Sequence, residues 1–388
     1  MSEGPTRILV SIDWYLPGFK AGGPIRSVAN LVEALGGDFH FSIFTSNTDY
    51  GEKEGYADIE TDTWVELSPH CRVWYSSREK RSYRHIRTLI RDTEYDMLYL
   101  NSMFSLKFTL FPLWNSRSQK PEVPVILAPR GMLHPGALGL KSRKKKLFLW
   151  LLRMIGVQKH VTFQATDPAE IEHIRGVFGE KAEIVEVPNL PRMDALAFQP
   201  AEKKSGALRM VFLSRISAKK GVLLLLEALE KQTAHIELDL YGPDEEAGYW
   251  AACEAIIARL PKNVTVRKLA PVPPSETLSL LQGYHLFAMP TKGENFGHAI
   301  FEALSAGIPV LISDQTPWRG LAEKGVGADL VLDGPGGFAE VIAAYAEMNA
   351  EEWRQNAEAS WAYARDFREG HEGRSKSAKM FIDAKNSD

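Results

Sequence analysis

Met289-Pro290-Thr291-Lys292-Gly293-Glu294-Asn295-Phe296-Gly297-His298-Ala299-Ile300-Phe301-Glu302-Ala303-Leu304 is the stretch on which the reading of this chain turns. It runs from the end of an apolar strand through a glycine-containing loop into a helix, whose free N-terminal amides suit an anion. Glu294 falls in the loop and Glu302 roughly two turns into the helix, so a bend, not one helical face, brings them together. Two readings stay open. Carboxylates fix sugar or ribose hydroxyls by charge-assisted hydrogen bonds worth about 1.5–3 kcal/mol each. Alternatively, Glu294 is a helix-start acid and Glu302 a packing or capping acid.

A second loop, Ser214-Arg215-Ile216-Ser217-Ala218-Lys219-Lys220-Gly221, follows the first strand of the second half. The fixed donor fork of Arg215 and the mobile ammonium of Lys220 are suited to charge growing on a departing diphosphate, although a solvated turn accounts for the same residues. In the first half, Gly22 and Gly23 precede Pro24 between a strand and a helix. They permit close backbone approach to a phosphate or sugar, or simply a tight turn. Neither a dinucleotide fingerprint nor a G-x-x-x-x-G-K-[ST] loop is present. Arg130, Gly131 and His134 follow the strand at 125–128; Arg130 reads as a group that binds and His134 as one that exchanges a proton near neutral pH, with turn packing as the alternative for both.

Working outward, short apolar or β-branched runs alternate with longer helical stretches in both halves, the pattern of parallel sheets covered by helices. Strands are expected at 8–12, 39–45, 71–75, 97–100, 125–128, 160–164 and 182–187, then at 208–213, 236–241, 264–268, 286–289, 309–313 and 329–332. A helix near 168–178 is expected to be capped by Thr166, and the last helix, near 350–368, to be followed by a polar tail. Pro188-Asn189-Leu190-Pro191 breaks the periodicity. The expected division is an N-terminal domain at 1–190, a linker at 191–207, a C-terminal domain at 208–365, and a tail at 366–388 that packs back on the N-terminal domain.

Composition narrows the partners. The 388 residues carry 46 basic and 49 acidic side chains, a formal charge of −3 that gives nucleic acid no general attraction. Cys71 and Cys253 lack metal-ligand spacing, so no metal is expected and a reducing cytoplasm fits. The opening residues do not read as a signal peptide. The run Leu147-Phe148-Leu149-Trp150-Leu151-Leu152 is too short to cross a bilayer. With the lysines and arginine of 141–146 before it, this run can rest on an anionic membrane surface, or form a buried helix with a basic entrance.

The Glu294-Asn295-Phe296-Gly297 segment, followed by Glu302-Ala303-Leu304 and Ala306-Gly307-Ile308-Pro309-Val310, resembles the retaining glycosyltransferases of family 4; Ser214-Arg215 with Lys220-Gly221 is similar to their basic phosphate loop. The resemblance covers most of the chain and implies an α/β fold of the GT-B type, with two Rossmann-like domains facing across a cleft. It implies that the second domain binds a nucleoside-diphosphate sugar without a cofactor or metal. Arg215, Lys220 and Glu294 would be catalytic, the two cations holding the diphosphate and Glu294 addressing the sugar. Gly22, Gly23, Asn295, Phe296, Gly297, His298 and Glu302 would bind the donor, with Glu302 on the ribose. Arg130 stands in the segment where many members carry a histidine, and the form Pro129-Arg130-Gly131-Met132-Leu133 is similar to members associated with surface polysaccharides.

The implied reaction is transfer of a sugar, with retention, to a hydroxyl of a glycan or lipid-linked glycan, in the cytoplasm or peripherally at the inner face of the plasma membrane. A noncatalytic protein that binds carbohydrate or nucleotide sugar is the alternative, and a sugar-nucleotide epimerase or a phosphorylase is another. A phosphorylase would be longer and would contain a cofactor-lysine context.

Overall fold

The computed structural model describes residues 4–117, 122–134, 138, 142–246 and 248–386, without the side chains of 142–144. The chain divides into two compact units, one built from residues 1–190 and 371–388, the other from 191–370.

In the first unit the strands β1 (Thr6–Ile12), β2 (Phe39–Ser46), β3 (Trp64–Ser68), β4 (Cys71–Ser76), β5 (Met97–Asn101), β6 (Val125–Leu127), β7 (Thr162–Ala165) and β8 (Ile184–Glu186) form one sheet in the order β3-β4-β2-β1-β5-β6-β7-β8. All neighbours are parallel except β3 and β4. The central strands are apolar on both faces because helices cover both: Ile8, Val10, Met97 and Tyr99 are enclosed on one face and Leu9, Leu98, Leu100 and Leu127 on the other. β3 escapes sequence reading because it is an exposed antiparallel edge with no buried face to leave an apolar run.

The helix Pro168–Phe178 is capped by Asp167, whose carboxylate accepts the Glu170 N–H at 2.8 Å, and not by Thr166. The Thr166 hydroxyl instead donates to the buried Glu170 carboxylate at 2.7 Å. The expected polar tail also differs, because residues Gly373–Asn386 form a helix. Few apolar residues mark it in sequence, and its order comes from tertiary packing. Phe381 is fully enclosed among the rings of Phe39, Phe41 and Tyr99, while Arg374 bonds Ala34 and pairs with Asp38 at 2.7 Å.

In the second unit β9 (Ala207–Leu213), β10 (His235–Tyr241), β11 (Val264–Leu269), β12 (Leu286–Met289), β13 (Val310–Ser313) and β14 (Gly327–Leu330) form an all-parallel sheet ordered β11-β10-β9-β12-β13-β14. β14 begins two residues before its expected position, at a glycine. A Cβ on Gly327 would lie 1.9 Å from the Val310 carbonyl oxygen, so the pairing needs a residue that carries no strand signal. In the parallel part of each sheet the strand order reverses once, between β1 and β5 in the first unit and between β9 and β12 in the second. In open α/β sheets ligands bind beyond the strand ends at such a reversal.

The docking of the last helix has a direct test. Phe381→Ala should cost about 3–5 kcal/mol of stability, whereas the neighbouring, half-exposed Ile382→Ala should stay within about 0.5 kcal/mol. Urea unfolding of the two variants reads the difference.

Candidate active site at the reversal of the second sheet

The two loops that follow β9 and β12 leave the sheet side by side at its reversal, which is why residues seventy positions apart in sequence meet there. Glycine makes the contact possible. Gly221 has φ +77°, and a Cβ on it would lie 2.0 Å from the Pro290 carbonyl oxygen. Lys292 N–H closes the approach by donating to the Lys219 carbonyl at 2.7 Å.

Within this contact the Lys220 ammonium pairs with Glu294 Oε1, both side chains being largely buried. Thr291, fully buried, donates to the same oxygen at 3.0 Å. Burial works against the charge on Glu294, but the charge and hydrogen bond of Lys220, with help from Lys219 and Thr291, outweigh it and hold the carboxyl below the usual glutamate range. Lys219 is shifted down by burial, aided by the cations Lys220 and Arg215 and opposed by Glu294 and Glu245. Sequence reading passed over Lys219 and Thr291. The lysine doublet was a usable signal for the first, but no motif marks the second.

Arg215 lies in the same field without joining the pair; its guanidinium bonds the Glu245 carboxylate, from the loop after β10. Arg215, Lys219 and Lys220 thus face Glu245 and Glu294, three cations against two carboxylates, leaving a positive surplus of one.

The helix His298–Ser305 starts at Gly297, whose φ of +81° and close contact with Ile300 and Trp318 both require glycine. The Phe296 ring is buried beside Trp318, Phe301 and Phe367, and its carbonyl accepts from the Trp318 indole at 2.6 Å; His298 packs on it with ring centres 4.7 Å apart. Asn295 is half-buried in the loop. Glu302 is not brought into the Lys220–Glu294 pair. It is buried one and a half turns along the helix, with Arg192 3.9 Å away.

The remaining expected residues lie in the first unit. Gly22 caps the helix Gly23–Leu35 with φ +75°, and nothing lies within 4 Å of a Cβ built on Gly22 or Gly23. The Arg130 guanidinium is engaged inside its own unit, donating to Tyr99 at 2.6 Å, to Asn101 at 2.8 and 3.1 Å, and to Asn189. His134 is half-buried edge-on to His173, 5.1 Å between ring centres. Among the described residues no group of three or more His, Cys, Asp or Glu side chains could hold a metal ion.

Residues 195–360, which span this site, match the family model of glycosyl transferases group 1. Solved structures resemble the chain over nearly its whole length, among them the following three. HepE of Anabaena, in complex with UDP and glucose, has a TM-score of 0.68 at 15% identity, covering 97% of this chain and 100% of that one. Sucrose-phosphate synthase from Thermosynechococcus elongatus has 0.61 at 17%, covering 94% and 98%. WaaG, a glycosyltransferase involved in lipopolysaccharide biosynthesis, has 0.61 at 14%, covering 96% and 99%. The fold is GT-B. No curated protein sequence matches the chain. In GT-B terms the Lys220–Glu294 contact occupies the sheet reversal of the second α/β domain.

Because the folded pKa of Glu294 lies below its unfolded value, its contribution to stability is complete above the ordinary 4.5 and is lost as pH falls through the folded value. The stability difference between the native protein and Glu294→Gln should therefore be flat above pH 4.5 and shrink below it, as followed by denaturant midpoints across pH.

Proposed function

We propose that the chain transfers a sugar, with retention of configuration, from a nucleoside-diphosphate sugar to a hydroxyl of a glycan or lipid-linked glycan, as family 4 enzymes do in surface polysaccharide synthesis. The observation that carries this reading is the buried Lys220–Glu294 contact at a sheet reversal, inside the segment matched by the glycosyl transferase model. Arg215 and Lys220 stabilise negative charge as the diphosphate leaves, and Glu294 addresses the transferred sugar. The backbone around Phe296 and Gly297, with Asn295 and His298, supports the donor, and Glu302 holds the ribose. On the first unit Gly22 and Gly23 offer open backbone to the donor, and His134 with Arg130 stands on the acceptor or sugar side. Side-chain cations meet the diphosphate's charge, so activity needs no divalent ion.

A panel of uridine- and guanosine-diphosphate sugars combined with cell-envelope extract tests the reading, with product mass as the readout; binding without any product would instead favour a carbohydrate-binding protein. Lys220→Ala and Arg215→Ala should each lower transfer about a hundredfold at saturating substrates. Thermal unfolding serves as the control. Glu302→Ala should weaken donor affinity in calorimetry, and a chelator should leave turnover unchanged.

Membrane contact forms part of the same proposal. On the helix Ser142–Met154 and just beyond it, Leu147, Trp150, Leu151, Met154 and Ile155 are all exposed, spaced as one helical face, while Leu149 and Leu152 are buried on another. Lys146 and Arg153 are exposed beside that face. Lys141 and the side chains of 142–144, also expected to contribute, lie outside the described residues. Among the described residues no helix is long and apolar enough to cross a membrane. An exposed apolar face edged by cations suits the interface of an anionic bilayer. Cosedimentation with anionic vesicles should therefore fall in Lys145→Glu/Lys146→Glu and in Trp150→Ser/Leu151→Ser, with donor binding retained; equal binding of all forms would remove the membrane surface from the proposal.

A further inference from the structure

Two half-buried charges that the proposed reaction has not used stand beyond the strand ends of the first sheet, Asp13 at the reversal between β1 and β5 and Arg81 after β4, both tied to the segment Ser46-Asn47 at the end of β2. Asp13 follows β1 directly, and its carbonyl accepts Ser46 N–H at 3.2 Å, which ties it to the end of β2. Its carboxylate accepts the Ser105 hydroxyl, from the segment after β5, at 2.7 Å. Ser105 is itself fixed, since its oxygen accepts the Phe108 N–H at 3.1 Å. No salt bridge reaches Asp13 among the described residues. Burial pushes its carboxyl pKa up, against the hydroxyls of Ser105 and Ser102 and the charge of Arg81.

Arg81, beyond the end of β4, is the complementary case. Its guanidinium donates to the Ser76 carbonyl at 2.6 and 3.0 Å and to Asn47 Oδ1 at 2.7 Å, all neutral acceptors, and it too has no carboxylate partner within ion-pair distance among the described residues. Burial lowers its pKa, as does the neighbouring charge of Arg78, against the charges of Asp62, Glu79 and Asp13. A half-buried charge without a counter-ion is costly unless a ligand uses it, and such groups concentrate at binding sites.

The opposite signs select the ligand. An anion drawn by Arg81 is repelled by Asp13, and a cation drawn by Asp13 is repelled by Arg81. A neutral polyol suffers neither penalty, because its hydroxyls donate to the carboxylate and accept from the guanidinium. We propose that Asp13 and Arg81, beyond the strand ends of the first sheet, bind neighbouring hydroxyls of a neutral sugar ring. This deepens the transferase reading by placing the acceptor sugar, and rests on that reading for the acceptor role alone.

Saturation-transfer NMR with methyl α-D-glucopyranoside, methyl β-D-galactopyranoside and methyl α-D-mannopyranoside tests the site directly, with UDP-glucose and GDP-mannose titrated separately into the same proteins. At least one glycoside should bind the native protein, and Asp13→Asn and Arg81→Gln should each weaken it about tenfold or more, as expected for losing a hydrogen bond to a charged group. Ser105→Ala should weaken it less, since it only loosens Asp13. Inorganic phosphate should not compete. Thermal unfolding verifies that the variants fold; if Asp13→Asn does not, Arg81→Gln and Ser105→Ala carry the test. Absence of glycoside binding, binding indifferent to all three substitutions, or displacement by phosphate would each overturn the inference. Asp13-dependent glycoside binding in a protein that binds neither nucleotide sugar would overturn the transferase reading and leave the sugar site standing.

Discussion

Glu294 is a carboxylate held almost out of water, and the second unit can keep it there only because Lys220 is pressed against it. Removing one partner from a buried pair typically costs about 3–5 kcal/mol, because the other is left charged and unsolvated. The pair in turn depends on the backbone. Lys220 reaches Glu294 because the next residue is a glycine that lets the β9 loop lie on the Pro290 carbonyl. Any side chain at 221 would part the loops and with them the charges. Sheet order, glycine placement and the ion pair are thus one constraint seen at three scales.

The same geometry recurs in the first unit with different chemistry. At both reversals the loops from two central strands emerge together, and in each a carboxylate is held by a hydroxyl, Thr291 for Glu294 and Ser105 for Asp13. The second unit adds a direct counter-ion and surplus positive charge, which suits a diphosphate. In the first, among the described residues, neither Asp13 nor Arg81 has an ion-pair contact, the arrangement from which binding of hydroxyls is proposed. A parallel sheet supplies the place, and the residues beyond its strand ends choose the ligand.

Much of this is legible in the sequence. Strands buried on both faces leave apolar runs, and β1, β2, β5, β9 and β12 announce themselves in that way. The edge strand β3 and the glycine-led β14 leave no such run, and the helix Gly373–Asn386 carries too few apolar residues to show a face. At the site, glycines and lysines following strands pointed to the two loops. Pairing was not readable, since the partner of Arg215 comes from a third loop and that of Glu302 from the segment after Leu190. Arg130 shows the same limit. This conspicuous cation after a strand bonds Tyr99, Asn101 and Asn189 within its own unit, while Asp13, a lone acid in no motif, has no ion-pair contact among the described residues.

The two cations of the second unit are prepared for different work. The Arg215 side chain is 29% exposed and its partner Glu245 25%, so water can solvate both if they separate. Lys220 is 10% exposed and Glu294 14%, and parting them strands a carboxylate that burial already disfavours. Under the proposed reading an arriving anion takes Arg215 from Glu245 at less cost than Lys220 from Glu294, because a pair that water reaches is screened and contributes less than one held out of water. Lys220 it must meet in place, with Glu294 still attached. In the proposed transfer Arg215 is then the group that moves with the ligand and Lys220 the fixed charge against which the ligand is positioned. A fixed charge is the more effective stabiliser of charge developing in a reaction, since it needs no reorganisation when that charge appears.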